Sequence, residues 1–450
     1  MTASLSIGVQ ALQVAQAALS VTSNNIANAD TAGYTREVAQ FSENPLSFEN
    51  TRVLGGGVSL DGVQSVRDEL LNLQIAAQTS QQSGADAQYA SLEQLQTYFT
   101  TTGGDITTAL SNFSSALAQL SANPSSSAVQ AGVSSAGQNL ANAFNNTAAG
   151  LSDAQTNSDN QVTETVAEIN SLTQQIAALN GQVATLQKAG KDGGTAQDQR
   201  DELVQQLSKL TGISIVQAGD GETITTGDGS PLVVGGQSFA LQTTKGSDGM
   251  QHVIDTTGKD ITTAIQGGTL GGAIAIRDQV IPGFMDQLNT LASQFATAFN
   301  SAQASGYDSN GNAGQDFFSF SASGAASTLK VASTDPSLIA ISSDGSSGSG
   351  GNVTKLATAV SGKLPSGLTP AQSYATLVQQ VGTATSNASA QSTAIGNSLL
   401  QLTNMQGSVS GVSIDEETTN LIKFQTAYQA AARVVSTIQK LNDTTINMIS

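Results

Sequence analysis

The chain has 450 residues, a formal net charge of −18, one histidine, and neither cysteine nor tryptophan. That length suffices for about three domains with sizeable cores. The acidity and the lack of Lys/Arg clusters argue against nucleic acid as a partner and against a polybasic membrane anchor, because phosphate binding needs clustered basic side chains. Without cysteine, disulfides and thiolate chemistry are excluded. No run reaches eighteen consecutive apolar residues, so no membrane insertion is expected. No Lys or Arg precedes the first apolar run, and Gln and Ser interrupt it, so an ordinary signal peptide is not expected either.

Residues 1–40 are almost uncharged and rhythmically apolar. Leu5, Leu12, Leu19 and Ile26 recur every seven positions, with Gly8, Ala15 and Thr22 between them. That spacing keeps a stripe on one side of a helix that meets another helix. Asn, Asp and Gly in residues 23–36 favour turns and end the helix there. Residues 37–66, with Pro45 and Gly55-Gly56-Gly57, read as irregular with short strand pieces. Leu70, Leu73, Leu92, Leu95 and Phe99 predict a long helix interrupted near Gly84. Ile106, Leu110, Phe113, Leu117 and Leu120 predict the next, closed by Pro124. Val129, Val133, Leu140 and Phe144 mark another, and Ile169, Leu172, Ile176, Leu179, Val183 and Leu186 form the most regular interior seam. Leu203, Leu207 and Leu210 make a short helix.

From residue 211 the period changes to two. Glycines then punctuate short β-branched runs, predicting a small β domain of hairpins to about residue 270. Ile281, Phe284, Leu288, Leu291, Phe295 and Phe299 return to helix. A turn-rich loop, a hairpin around Leu329 and Val331, and a flexible Ser/Gly linker at residues 342–351 follow. A long helix from Tyr374 towards Val409 breaks at Gly411. The last helix carries Ile414, Leu421, Tyr428 and Val435 every seven residues, with Phe424, Ala431 and Ile438 at companion positions. Ser413 caps it, and Asp415, Glu416 and Glu417 sit at the positive end of its dipole.

The fold class expected is mainly α with a β insertion. Paired coiled-coil helices at the two ends (residues 1–50 with 405–450) form a terminal assembly domain. A long helical bundle domain (51–210 with 271–404) follows, and the small β domain (211–270) is inserted mid-chain. Ordering each residue of the first helix costs roughly 1–2 kcal/mol, and a buried Leu or Ile returns only about 1.5–3 kcal/mol. Residues 1–40 and 411–450 are therefore expected to be disordered in the monomer and to fold when neighbours supply the missing surface.

Four stretches carry a family resemblance. Ser23-Asn24-Asn25-Ile26-Ala27-Asn28-Ala29-Asp30-Thr31-Ala32-Gly33-Tyr34-Thr35-Arg36 resembles the N-terminal motif of bacterial flagellar rod, hook and hook-associated axial proteins. Ile422-Lys423-Phe424-Gln425-Thr426-Ala427-Tyr428-Gln429-Ala430 is similar to their C-terminal motif. Asp198-Gln199-Arg200-Asp201-Glu202-Leu203 resembles the hook-associated members, as does Gly306-Tyr307-Asp308 with Asp316-Phe317-Phe318 after it. The resemblance implies a non-enzymatic structural subunit that joins hook to filament as a homo-oligomer in the flagellar axis. It implies the hook protein, the next hook-associated protein and an export chaperone as partners. It also implies type III export to the extracellular flagellum without a cleaved signal peptide. The residues expected to serve assembly are Leu5, Leu12, Leu19, Asn24, Asn25, Ile26, Asn28, Gly33 and Tyr34 in front. Behind, they are Ile414, Leu421, Phe424, Gln425, Tyr428, Arg433, Val435 and Ile438.

No catalytic, cofactor or metal residue is expected. His252 reads as an exposed turn residue, and a single histidine leaves a His-based triad no alternative base and rules out a His-Glu-x-x-His zinc site. Asp308-Ser309-Asn310-Gly311-Asn312 begins like a calcium loop, but Ala313 and Ser319 occupy the sixth and twelfth positions, where glycine and glutamate belong. A hook or rod subunit, a secreted glycan- or protein-cleaving axial protein, and an adhesin are the alternatives. The long helical middle sets the chain apart from hook and rod subunits.

Overall fold

In a computed structural model, the structure describes residues 2–31, 33–45, 47–49, 52–99, 105–190, 193–218, 221–346 and 349–449. The chain is mainly helical, with small sheets inserted mid-sequence. Helix α1 (Thr2–Ala27) leads into strands β1 (Glu37–Glu43), β2 (Ser47–Glu49), β3 (Arg52–Leu54) and β4 (Val58–Ser65). β1 pairs antiparallel with β4 and β2 with β3, so the stretch read as irregular is a long hairpin, bulged between Gln40 and Phe41.

Helices α2 (Glu69–Phe99), α3 (Ile106–Ala122), α4 (Ser127–Lys188) and α5 (Gly194–Leu210) follow. Two expectations are corrected here. α2 runs through Gly84 without a break. Gly84 is buried where a Cβ would come within 3.3 Å of the Gly268 carbonyl, so its small size serves the close approach of another helix. The seams at 129–144 and 169–186 belong to a single 62-residue helix. Leu151, Ala154, Val162 and Val166 carry the buried face across the interval, and no proline interrupts it. Side chains close the helix starts: Asp105 accepts from Thr108 N–H at 2.6 Å, and Ser126 from Val129 N–H at 3.4 Å.

Strands β5 (Ile213–Ala218), β6 (Gly221–Thr226), β7 (Pro231–Val234) and β8 (Gln237–Ser238) form an antiparallel meander in that order. β9 (Gln242–Lys245) and β10 (Gln251–Ile254) make a hairpin. Asn180 of α4 is buried against this sheet. Its amide donates to the carbonyls of Glu222 and Gly235, both at 2.9 Å, and its oxygen accepts from Glu222 N–H at 3.3 Å. A polar side chain tolerates that burial because its bonds are made. Helix α6 (Gly268–Ala275), a π-turn at Ile276–Val280 and α7 (Ile281–Ala304) return to the bundle. Arg277 on the π-turn is buried and paired with Asp159 at 2.7 Å and Asp278 at 2.6 Å. It also donates to the Gln251 carbonyl at 2.6 Å, tying β10 to α4.

β11 (Phe318–Ser319) pairs with β12 (Lys330–Val331) across α8 (Ala325–Thr328), as the expected hairpin. Part of the expected Ser/Gly linker is ordered. Ser342 is buried and exchanges backbone hydrogen bonds with Tyr307 at 2.8 and 3.0 Å; residues 347 and 348 lie outside the described residues. α9 (Val353–Ser361), α10 (Pro370–Ser410) and α11 (Ile414–Ile449) complete the chain. Thr369 and Gln372 form a reciprocal capping box at the start of α10, which ends at Gly411 as expected.

Two cores result, and α4 threads both. In one, Val133, Leu140, Phe144 and Leu151 meet Phe113, Phe295, Phe299, Phe317 and Phe318. In the other, Val162, Val166, Ile169 and Ile176 meet Ile224, Leu232, Val233 and Val253 of the inserted sheets.

Candidate assembly interface

α1 and α11 pack on one another within the single chain, the pairing of the two end helices that the sequence predicts. Each supplies the other's first face. They run antiparallel: Gly8 lies against Val435, while Arg36, beyond the other end of α1, pairs with Glu416 at 3.1 Å. A Cβ on Gly8 would meet Val435 Cγ2 at 2.8 Å, so the missing side chain allows the approach. The buried side of α1 is Gly8, Ala15, Ala18, Val21, Thr22 and Asn25. Leu5, Leu12, Leu19 and Ile26, expected to be the seam itself, are half-buried on its flank. The small residues between them are the ones that close against α11. Residues Ser4–Ala27 are also long and apolar enough to cross a bilayer by length and composition, which a count of consecutive apolar residues did not anticipate.

On α11, Leu421, Phe424, Val435 and Ile438 are half-buried, whereas Ile414, Gln425, Tyr428 and Arg433 are exposed. Phe424 meets Phe41 of β1 edge-on, with ring centroids 6.4 Å apart. The sequence reading missed a second stripe. Val434, Leu441 and Met448 also recur every seven residues and are 51%, 56% and 82% exposed. The same spacing rule that found the first stripe finds this one, displaced around the helix.

The residues of the Asn-rich motif are drawn together at the end of α1. Asn25 is buried and acts as a surrogate strand partner. Its oxygen accepts from Glu37 N–H at 3.0 Å and from the Tyr34 hydroxyl at 2.8 Å, and its amide donates to the Glu37 carbonyl at 2.8 Å. Asn24 donates to Tyr34 Oη at 3.3 Å. Asn28 donates to the Asn24 carbonyl and Oδ1, both at 3.0 Å. Gly33 takes φ +78°, which an L side chain resists. Burial, followed by the Glu37 charge, raises the Tyr34 phenol above its ordinary value and keeps it a neutral donor. These residues fold the chain back so that β1 and β4 lie on α1.

Behind this turn lies an ionic cluster. Arg67 pairs with Asp198 and Asp201 of α5 and donates to the Gly194 carbonyl at 3.1 Å. Asp198 accepts from Thr35 N–H at 3.3 Å. Arg200 bridges Asp201 at 3.1 Å and Glu222 of β6 at 2.7 Å. The Asp198-to-Leu203 motif thus supplies the cluster's centre. Burial raises the Asp198 carboxyl above its ordinary value, outweighing the Thr35 hydrogen bonds and Arg67.

His252 is on strand β10 rather than in a turn, with Nδ1 2.6 Å from Asp260 and Nε2 3.1 Å from Asp248. Asp308 is buried and its carboxylate is used by Asn310 N–H and Asn312 N–H, both at 2.8 Å, a local turn. Among the described residues, no group of three or more His, Cys, Asp or Glu is arranged to hold a metal.

Comparison with known proteins places this geometry. Residues 92–318 match the family model described as the flagellar hook-associated protein FlgK helical domain. The chain belongs to the flagellar hook-associated protein family. Residues 5–35 match the flagella basal body rod protein family, and residues 405–448 match the flagellar basal body rod FlgEFG protein C-terminal model. The family's rod-type segments are therefore α1 with its motif, and α11. Flagellar hook-associated protein 1 of Escherichia coli is 27% identical, with all of each chain covered. That of Bacillus subtilis is 29% identical over 97% of this chain and 96% of its own. The flagellar hook junction protein of Burkholderia pseudomallei has the same fold. Its TM-score is 0.68 at 20% identity, covering 75% of this chain and all of that one. The chain is accordingly a structural component of the bacterial flagellum that assembles with flagellar axial proteins.

Proposed function

We propose that this hook-associated protein joins hook to filament, entering the axial structure through α1 and α11. The exposed stripe Val434, Leu441 and Met448 carries the reading. A helix already paired on one face has no intramolecular use for a second apolar seam, and a heterologous contact with a neighbouring subunit would cover it. The partners on this reading are further copies, the hook protein and the next hook-associated protein. An export chaperone serves the chain before it passes through the flagellar channel to the cell exterior. Ile414, Gln425, Tyr428 and Arg433, exposed on α11, are the expected residues best placed for such contacts, with Leu5, Leu12, Leu19, Ile26, Leu421, Phe424, Val435 and Ile438 completing the intramolecular pair. Asn24, Asn25, Asn28, Gly33 and Tyr34 act by holding α1 against the hairpin.

The domain boundaries follow the packing. The terminal module comprises α1, the β1–β4 hairpin and α11, and extends to Val66 because β4 pairs with β1. The helical body on this reading spans 67–210 with 271–410, where 51–210 with 271–404 was expected, and the inserted β domain keeps 211–270. The test is a chain carrying Val434→Asp, Leu441→Asp and Met448→Asp, secreted in a strain lacking the native protein. Hooks that end bare, with helix content unchanged in the purified chain, support the reading. Full-length filaments from the triple variant overturn it.

A further inference from the structure

The terminal module touches the rest of the chain sparingly. α1, β1 and β4 pack on one another and α1 packs on α11, but among the described residues none of these elements packs broadly on α2, α5 or α10. The polypeptide crosses between module and body at residues 66–68 and 411–413, and neither crossing is helical. A cleft of about 430 Å³ separates them, lined by Tyr34, Asp198, Lys209, Gln406 and Gly411 among others. At this joint Arg67 leaves the hairpin and is gripped by Asp198 and Asp201, both on α5. Asp198 also takes Thr35 N–H, so one carboxylate holds both the motif turn and the crossing strand. Through Arg200, Asp201 is continuous with Glu222 on the inserted sheet. Two backbone bonds lie beside it: Arg36 N–H to the Ser410 carbonyl at 2.9 Å ties the motif turn to the end of α10, and Val66 N–H to the Arg36 carbonyl at 2.8 Å ties that turn to the first crossing; neither involves α5.

We infer that Arg67, held by Asp198 and Asp201, is a lock that fixes the angle between terminal module and body, and that releasing it lets the module swing across the cleft. The geometry suits the task. A guanidinium fork in two carboxylates defines a direction as well as a contact, and this one is half-buried, its side chains 13%, 15% and 24% exposed, where solvent screens it less than a surface pair. Short non-helical crossings are where a hinge absorbs backbone rotation. The lock is a property of the single chain and does not depend on the assembly reading.

The chain has no cysteine, so introduced pairs can carry spin labels uniquely in the full-length protein. Asn387→Cys on α10 with Thr418→Cys on α11 reports the joint. Asn387→Cys with Gln174→Cys on α4 reports the body, and Asp61→Cys with Thr418→Cys the module. Against an otherwise native background, the Asp198→Asn, Asp201→Asn variant should widen the joint distance distribution at least about twofold while the other two stay narrow. Arg67→Lys, which keeps the charge but loses the fork, should widen it by less. An unchanged joint distribution overturns the lock. If neutralising both carboxylates also broadens a control pair, Arg67→Lys decides by the same criterion.

Discussion

Asn25 does what a strand partner would do, from the end of a helix. Replacing it with alanine removes the acceptor of Glu37 N–H and of the Tyr34 hydroxyl and a donor to the Glu37 carbonyl, a loss of about 1–3 kcal/mol in chemical unfolding. Asn24→Ala removes exposed contacts, to Tyr34 at 3.3 Å, to Glu37 at 3.5 Å and from Asn28 at 3.0 Å, and should cost less because water can replace them. The sequence located this motif but not its work. Asn and Tyr in a turn-rich stretch serve an intramolecular bracket and an intersubunit contact equally well, and only the position of Glu37 separates the two. His252 was missed for a similar reason: its two aspartates sit four and eight residues away, Asp248 in the turn joining β9 to β10 and Asp260 returned beside β10 by its bridge to Ile254, and they reach either side of the ring. Those hydrogen bonds, first to Asp260 and then to Asp248, raise the imidazole above its ordinary value of 6.5. A raised folded-state value means the added stability is fully present below about 6.5 and is lost as pH rises through the folded value. Denaturant unfolding should show no more than about 1 kcal/mol of such loss, as for other solvent-accessible pairs. His252→Gln should remove it; a native chain with a flat profile through neutral pH would contradict the assignment.

Helices were the most legible elements, because a buried stripe at helical spacing needs no knowledge of the partner. Their ends were less so. Gly84 has the composition of a break and the role of a contact, and the two are indistinguishable until Gly268 is seen against it. α4 read as two helices because its buried residues between Phe144 and Ile169 are small or sparse, while the backbone there is uninterrupted. The hairpin at β1–β4 was hidden by glycines and Pro45. The α1 seam was displaced by one helical face. Large residues attract attention in a sequence, yet in a close helix pair the small ones face the partner. That gives a test at Gly8. Gly8→Leu should push α1 off Val435 and cost about 1–3 kcal/mol by overpacking, read as faster amide exchange over residues 5–22. Leu5→Ala, on the flank, should alter exchange far less. Equal effects would place the seam back on the leucine stripe.

At the level of the entire chain, the order of events was readable: helices at both ends, a helical layer inside them, and β structure inserted between. That nesting follows from where the periodicity changes along the chain. What could not be read was which side of each end helix the chain itself consumes. α1 and α11 satisfy one another, and this leaves Val434, Leu441 and Met448 to water. An apolar seam kept exposed on a helix of 36 residues makes sense for a subunit whose final environment is other subunits, and the acidic middle keeps such a chain soluble until it arrives. The most direct measurement is amide exchange along α11 in the purified chain and in the same chain bound at hook ends. Residues 427–449 should exchange at least about tenfold more slowly once bound, about 1.4 kcal/mol of added protection, with the body unchanged. Identical exchange in the two states would mean that nothing covers the second stripe, and would contradict assembly through α11.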